Sequence, residues 1–205
     1  MEKAKKKKIK NREIRGIFKK IAAALACAVL LAAPLGLASC EKDEQPGDPG
    51  NSSHTAKEIA DAIIAAYGPD ELPDAGFEHF YSGADEDSEN YIEAKYAGLL
   101  IDGAYAELEE YEYFSDCAFY IPVGRRIFEV DVLKINPGDE KNLGALKEVL
   151  ERRLKSKSGS DVLTYTPGDT PLLENAKVVT SGSYVILLAT TDNSKAEKVI
   201  NDMTK

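Results

Sequence analysis

The chain has 205 residues, 43% apolar and 30% charged, with 26 basic against 35 acidic residues and a net charge of −9. So acidic a balance excludes an electrostatic grip on nucleic acid, whose phosphates demand clustered Lys and Arg. Two histidines and three cysteines supply no disulfide framework and little for a metal site built on those ligands.

The first forty residues stand apart. Residues 1–20 hold ten basic residues and two acids, Glu2 and Glu13, and Ile21 to Ser39 carry no charge. A basic head, an apolar middle and a small-residue end are the parts of a secretory signal. The positive head stays cytoplasmic. The run is just long enough to span a bilayer, which makes a plain transmembrane anchor the alternative. Pro34 and Gly36 interrupt it, however, and it ends at a cysteine, Cys40, instead of a flanking charge.

Leu37-Ala38-Ser39-Cys40 resembles the bacterial lipobox, an aliphatic residue and two small ones before a cysteine. In proteins with that motif the thiol receives a diacylglyceryl group, and the peptidase then cuts before the cysteine. Two acyl chains hold where one gives only reversible binding. The expectation is a lipoprotein signal peptide at 1–39, with Leu37, Ala38 and Ser39 as its recognition residues. Cys40 is then the lipidated first residue of an extracytoplasmic protein anchored to the bacterial cell membrane. Without the leader 16 basic and 33 acidic residues remain, a net charge of −17. That charge keeps a domain soluble and off anionic lipid.

Residues 40–54 read as lipidated cysteine and tether, since Pro46, Gly47, Pro49, Gly50, Ser52 and Ser53 deny regular structure. A flexible segment of that length sets a domain on the order of 20 Å from the lipid. Residues 55–205 have the size of one domain. Cys27 falls in the leader, so Cys117 is the single thiol of the mature domain. Beside Ala118 and Phe119 it reads as a small buried hydrophobe. Its other neighbours, Ser115 and Asp116, provide no base to activate it.

In chain order, "TAKEIADAIIAAYGP" is a helix with a Thr55/Glu58 capping box, an Ile59/Ile63/Tyr67 face and a Gly68-Pro69 stop. Residues 69–90, rich in Gly, Pro and Asp, read mostly as loop. "NYIEAKYAGLL" has helical spacing at Ile92, Tyr96 and Leu99, and "AYAELEEYEYF" is open to a second short helix after Asp102-Gly103. "CAFYIP" and "RIFEVDVLKI" are strands joined around Pro122-Val123-Gly124. Phe128, Val130 and Val132 face one side, with Glu129 and Asp131 on the other. A helix begins near Asp139 with a Leu143/Leu146/Leu150/Leu154 stripe. "AKVVTS" and "SYVILLAT" flank Gly182 as a hairpin, and "DNSKAEKVINDM" is the last helix. Strand, strand, helix occurs twice. The expected fold is a single α+β domain with a four-stranded, mainly antiparallel sheet from two β-β-α units. Both helices lie on one face, behind an N-terminal helix.

The stretch "LTYTPGDTPLLENAKVVTSGSYVILLATTD" resembles a family of small bacterial lipoproteins, domain of unknown function 4358. The likeness is carried by Tyr165 and Pro167, the "LENAKV" run, and Gly182, Tyr184 and Val185 leading to Asp192. "FEVDVLKI" before a helix is similar to the family's middle. The likeness spans about residues 110–203. It implies a lipoprotein context and brings no established activity.

Several patterns invite chemistry. Asp85, Asp87 and Glu89 alternate as in a calcium loop, but Asn90 and Tyr96 stand where such a loop needs Gly and Glu, so a solvated turn explains them. "LPDAG" at 72–76 resembles a cell-wall sorting signal, yet it has Ala75 in place of Thr and lies far from the C-terminus. His54 sits in the tether, which leaves any histidine-based triad to His79, and no Gly-x-Ser-x-Gly elbow accompanies it. Six of the ten tyrosines, Tyr91, Tyr96, Tyr105, Tyr111, Tyr113 and Tyr120, fall within thirty residues among several glutamates. Packing is the plainer reading, because a domain without Trp uses Tyr and Phe as its large fillers. A recognition surface is the other, with Tyr105, Glu109, Glu110, Tyr111 and Tyr113 as its candidates.

The expectation is a lipid-anchored binding or assembly module of the cell envelope, not an enzyme. It would use no cofactor or metal, have an envelope protein as partner, and bind no nucleic acid. Its surface is the uncovered sheet face or the segment 105–116. The alternatives are an envelope hydrolase working through acidic residues and a ligand-capturing accessory lipoprotein of a transporter.

Overall fold

The computed structural model describes residues 54–204 apart from 85, 104–107, 125, 159–163 and 165. The leader, Cys40 and the tether up to residue 53 lie outside it. Among the described residues no helix is long and apolar enough to cross a membrane.

Helix α1 (Ala56–Ala65) starts where the sequence punctuates it. Thr55 Oγ1 accepts from Glu58 N at 3.1 Å, and Glu58 Oε2 accepts from Thr55 N at 2.8 Å, a closed capping box. Ala56, Ile59, Ala60 and Ile63 form its buried stripe. Strand β1 (Phe77–Tyr81) follows, inside the stretch expected to be loop. Helix α2 (Ala97–Ile101) comes next, entered through a 3-10 turn at Ala94–Tyr96. A further 3-10 turn, Glu109–Glu112, stands where a second short helix was open.

Strands β2 (Phe114–Pro122) and β3 (Glu129–Ile135) pair antiparallel. Helix α3 (Leu143–Ser158) buries Leu146, Val149 and Leu150, with Leu143 and Leu154 half-buried at either end. Helix α4 (Thr170–Asn175) leads into β4 (Lys177–Ser181) and β5 (Tyr184–Ala189). Gly182 turns that hairpin at φ +55°, and a Cβ there would meet the Thr204 carbonyl oxygen at 2.9 Å. Helix α5 (Asn193–Met203) begins at Asp192, whose carboxylate accepts from Ser194 N at 3.0 Å.

The domain is α+β, built on one antiparallel sheet of five strands in the order β1-β2-β3-β5-β4. This corrects the four-strand expectation. The extra strand, "FEHFY", is a five-residue edge whose alternation is hidden between Gly76 and Gly83. A second correction concerns layers. Helices α1 and α5 pack with Val130, Val132, Tyr184, Ile186 and Leu188 on one face. Helices α2 and α3 pack with Phe119, Leu133, Val185 and Leu187 on the other. The helices of the two β-β-α units therefore cover opposite faces, and β5 is buried along its whole length. A strand covered on both faces needs apolar residues at every position, and "YVILLA" has them. Among the described residues, β3 and β5 present no uncovered sheet face to serve as a docking surface.

Candidate functional site

At the β1 edge, on the α3 side, a mostly apolar cleft of about 350 Å³ is lined by Phe80, Tyr91, Ile92, Tyr96, Leu99 and Leu100. Three segments supply its walls. Phe80 stands on β1 opposite buried Phe119. Tyr91 and Ile92 are held against β1 because Tyr81 N donates to Asn90 O at 3.0 Å and Ile92 N donates to Tyr81 O at 3.4 Å. Tyr96 and Leu99 project from the turn and helix α2, each 38% exposed. The Lys95 ammonium lies 4.8 Å from the Tyr96 ring centre and pairs with Glu93 at 2.6 Å. A concave apolar site with a few polar groups at its rim is the usual shape of a small-group binding pocket.

Behind the cleft runs a network of charges. Arg152 reaches Asp102 at 3.6 Å and Glu110 at 3.5 Å, and the Tyr111 hydroxyl donates to Asp102 at 2.5 Å. Burial first, then the hydrogen bond and charge of Asp102, push the Tyr111 phenol above its ordinary range. Next along α3, Arg153 donates to Glu129 at 2.8 Å and to the Leu100 carbonyl, and Lys157 pairs with Glu129. Glu129 and its neighbour Asp131 are both 0% exposed. They point away from Val130 and Val132, as alternation requires, but the side they face is covered by α3.

Of the residues singled out in the sequence, Leu37, Ala38, Ser39, Cys40, Asp85, Tyr105 and Tyr165 lie outside the described residues. Tyr111 is 4% exposed and belongs to the core, so its ring is filler. Tyr113 donates to Glu109 at 2.7 Å, and that hydrogen bond, with burial behind it, pushes its phenol up to about 12. Glu110 is tied to Arg152. His79 stacks between Tyr81 and Tyr120 at 6.0 and 5.4 Å on the opposite face, where Tyr120 donates to Asp61. Asp87 and Glu89 sit exposed in turns.

Sequence reasoning missed Phe80, Leu100, Arg153 and Lys157, and read Leu99 only as part of a helix face. For the two cations a signal existed. Arg153 stands seven residues after Leu146, and Lys157 seven after Leu150, so both lie on the buried stripe of α3. A cation on a buried stripe requires an acid opposite, and "FEVDV" holds two. Compared with protein-family models, curated proteins and solved structures, the chain matches none.

Proposed function

We propose that the chain is an extracytoplasmic binding or assembly module of the cell envelope. It is anchored by lipid at Cys40 and takes an apolar or aromatic group of a partner protein into the cleft between β1 and α2. The observation that carries the binding role is the cleft itself, in which Tyr96 and Leu99 stay 38% exposed at the mouth. Exposed rings and leucines around a concavity are the groups that protein interfaces use as anchors. The address rests on the sequence from Leu37 to Cys40 and on the resemblance to the lipoprotein family.

A hydrolase working through acids is the second reading, favoured by Glu129 and Asp131. One of these carboxyls is neutralised by cations and the other is pushed upward, the pattern of an acid and base pair. Their 0% exposure weighs against it, because a substrate has no access to them.

A photo-crosslinking residue placed at Leu99 in living cells tests the binding role against the same residue at exposed Lys198 on α5. One defined partner captured from Leu99, lost on Phe80→Asp and absent at Lys198, supports the module. Equal labelling at both positions overturns it.

A further inference from the structure

The α3 side of the sheet holds two carboxyls that cleft binding does not use. Glu129 and Asp131 stand two residues apart on β3, both fully buried. The cations that α3 brings down both go to Glu129, Arg153 to Oε1 at 2.8 Å and Lys157 to Oε2. Among the described residues, neither oxygen of Asp131 receives a hydrogen bond. Across the sheet its register partners are Phe119 and Leu187, which have nothing to donate.

Among the described residues the charged or titratable groups around Asp131 are few. They are Glu129 on β3, Arg153 and Lys157 on α3, Cys117 on β2 and, beyond Arg153, Asp102 after α2. The β5 residues on this face, Val185, Leu187 and Ala189, are apolar. A carboxylate sealed from water without a donor is too costly to keep. A protonated carboxyl is a donor instead, and the Glu129 carboxylate beside it is an acceptor.

We infer that Asp131 keeps its proton in the folded domain at neutral pH and donates it in a hydrogen bond to Glu129, so that this proton helps latch α3 onto the sheet. Losing it breaks the Asp131 O–H bond, sends the proton to solvent and leaves two carboxylates side by side under α3. Burial above all, then the charge of Glu129, raises the Asp131 carboxyl well above the usual carboxylate range, while Arg153 and Lys157 pull it back. The folded chain therefore holds a proton that the unfolded chain releases near about pH 4. Stability from this group is complete below that pH and is lost as pH climbs through the folded-state titration.

The latch also touches the cleft. Arg153 donates to the Leu100 carbonyl, and Leu100 is a cleft wall. An ionised Asp131 competes with Glu129 and Leu100 for Arg153. That link rests on the binding reading above, whereas the bound proton does not.

Carbon-13 NMR of the whole chain labelled at aspartate, purified in detergent, tests the proton. One side-chain carboxyl resonance is expected to keep its protonated position at neutral pH, where the other aspartates have ionised, and to be missing in Asp131→Asn. Should that variant fail to fold, backbone connectivity in the wild type assigns the resonance. If every aspartate resonance has reached its ionised position at neutral pH, the inference is wrong. Leu100 methyl signals that move with the same midpoint support the link to the cleft, and flat ones overturn that link alone.

Discussion

At the scale of single residues, the domain rests on a few buried polar groups with defined partners. Arg126 grips Asp169 with two parallel hydrogen bonds of 2.8 and 3.0 Å, and Asp169 also accepts from Ile127 N at 3.1 Å. This fork ties the loop before α4 to the start of β3. Glu129 has a larger burden, because its removal takes from Arg153 and Lys157, whose side chains are only 15% and 14% exposed, the buried carboxylate that both pair with. Glu129→Ala is expected to destabilise the domain by about 3–5 kcal/mol in urea unfolding, the range for breaking a buried ion pair from one side. Cys117 is fully buried, and burial first among causes pushes its thiol up to about 12. It therefore carries almost no thiolate at neutral pH and is expected to resist thiol reagents until urea unfolds the chain. Rapid labelling of folded protein at Cys117 would contradict that.

At the scale of elements, local punctuation was legible wherever the chemistry is local. The Thr55/Glu58 box, the Leu146/Leu150 stripe and the Gly182 hairpin can each be read within a few residues, and each is found where the sequence puts it. Thr55→Ala is expected to cost about 1 kcal/mol, measured as a fall in the urea midpoint. Gly182→Ala is expected to cost more than the about 1–2 kcal/mol of a left-handed alanine, because its Cβ also meets the Thr204 carbonyl. A variant as stable as wild type would mean that the hairpin and the end of α5 are not in contact. Strand β1 was not legible, since five residues between Gly76 and Gly83 owe their structure to pairing with β2, more than thirty positions away. Helix α2 is short for the same reason: Ala97 and Ile101 are fixed by packing under the sheet and not by propensity.

At the scale of the whole molecule, the sequence conveyed the α+β class and the pairing of both hairpins but not which face each helix covers. Two β-β-α units allow either arrangement, and the choice depends on long-range burial. Its trace was the unbroken "YVILLA", which leaves no polar side for water. The cleft was hidden for a similar reason, because Phe80, Tyr91 and Leu99 meet only after β1 has joined the sheet. The two halves of the proposal, anchor and cleft, support each other: a module held at a membrane meets few partners, and a small apolar cleft suffices at high local concentration. The anchor is the half on which the address depends. Intact mass measurement of the protein extracted from cell membranes tests it most directly. A chain that begins at Cys40 and carries a diacylglyceryl thioether is expected. A chain still joined to its leader, with residue 40 unmodified, would contradict it.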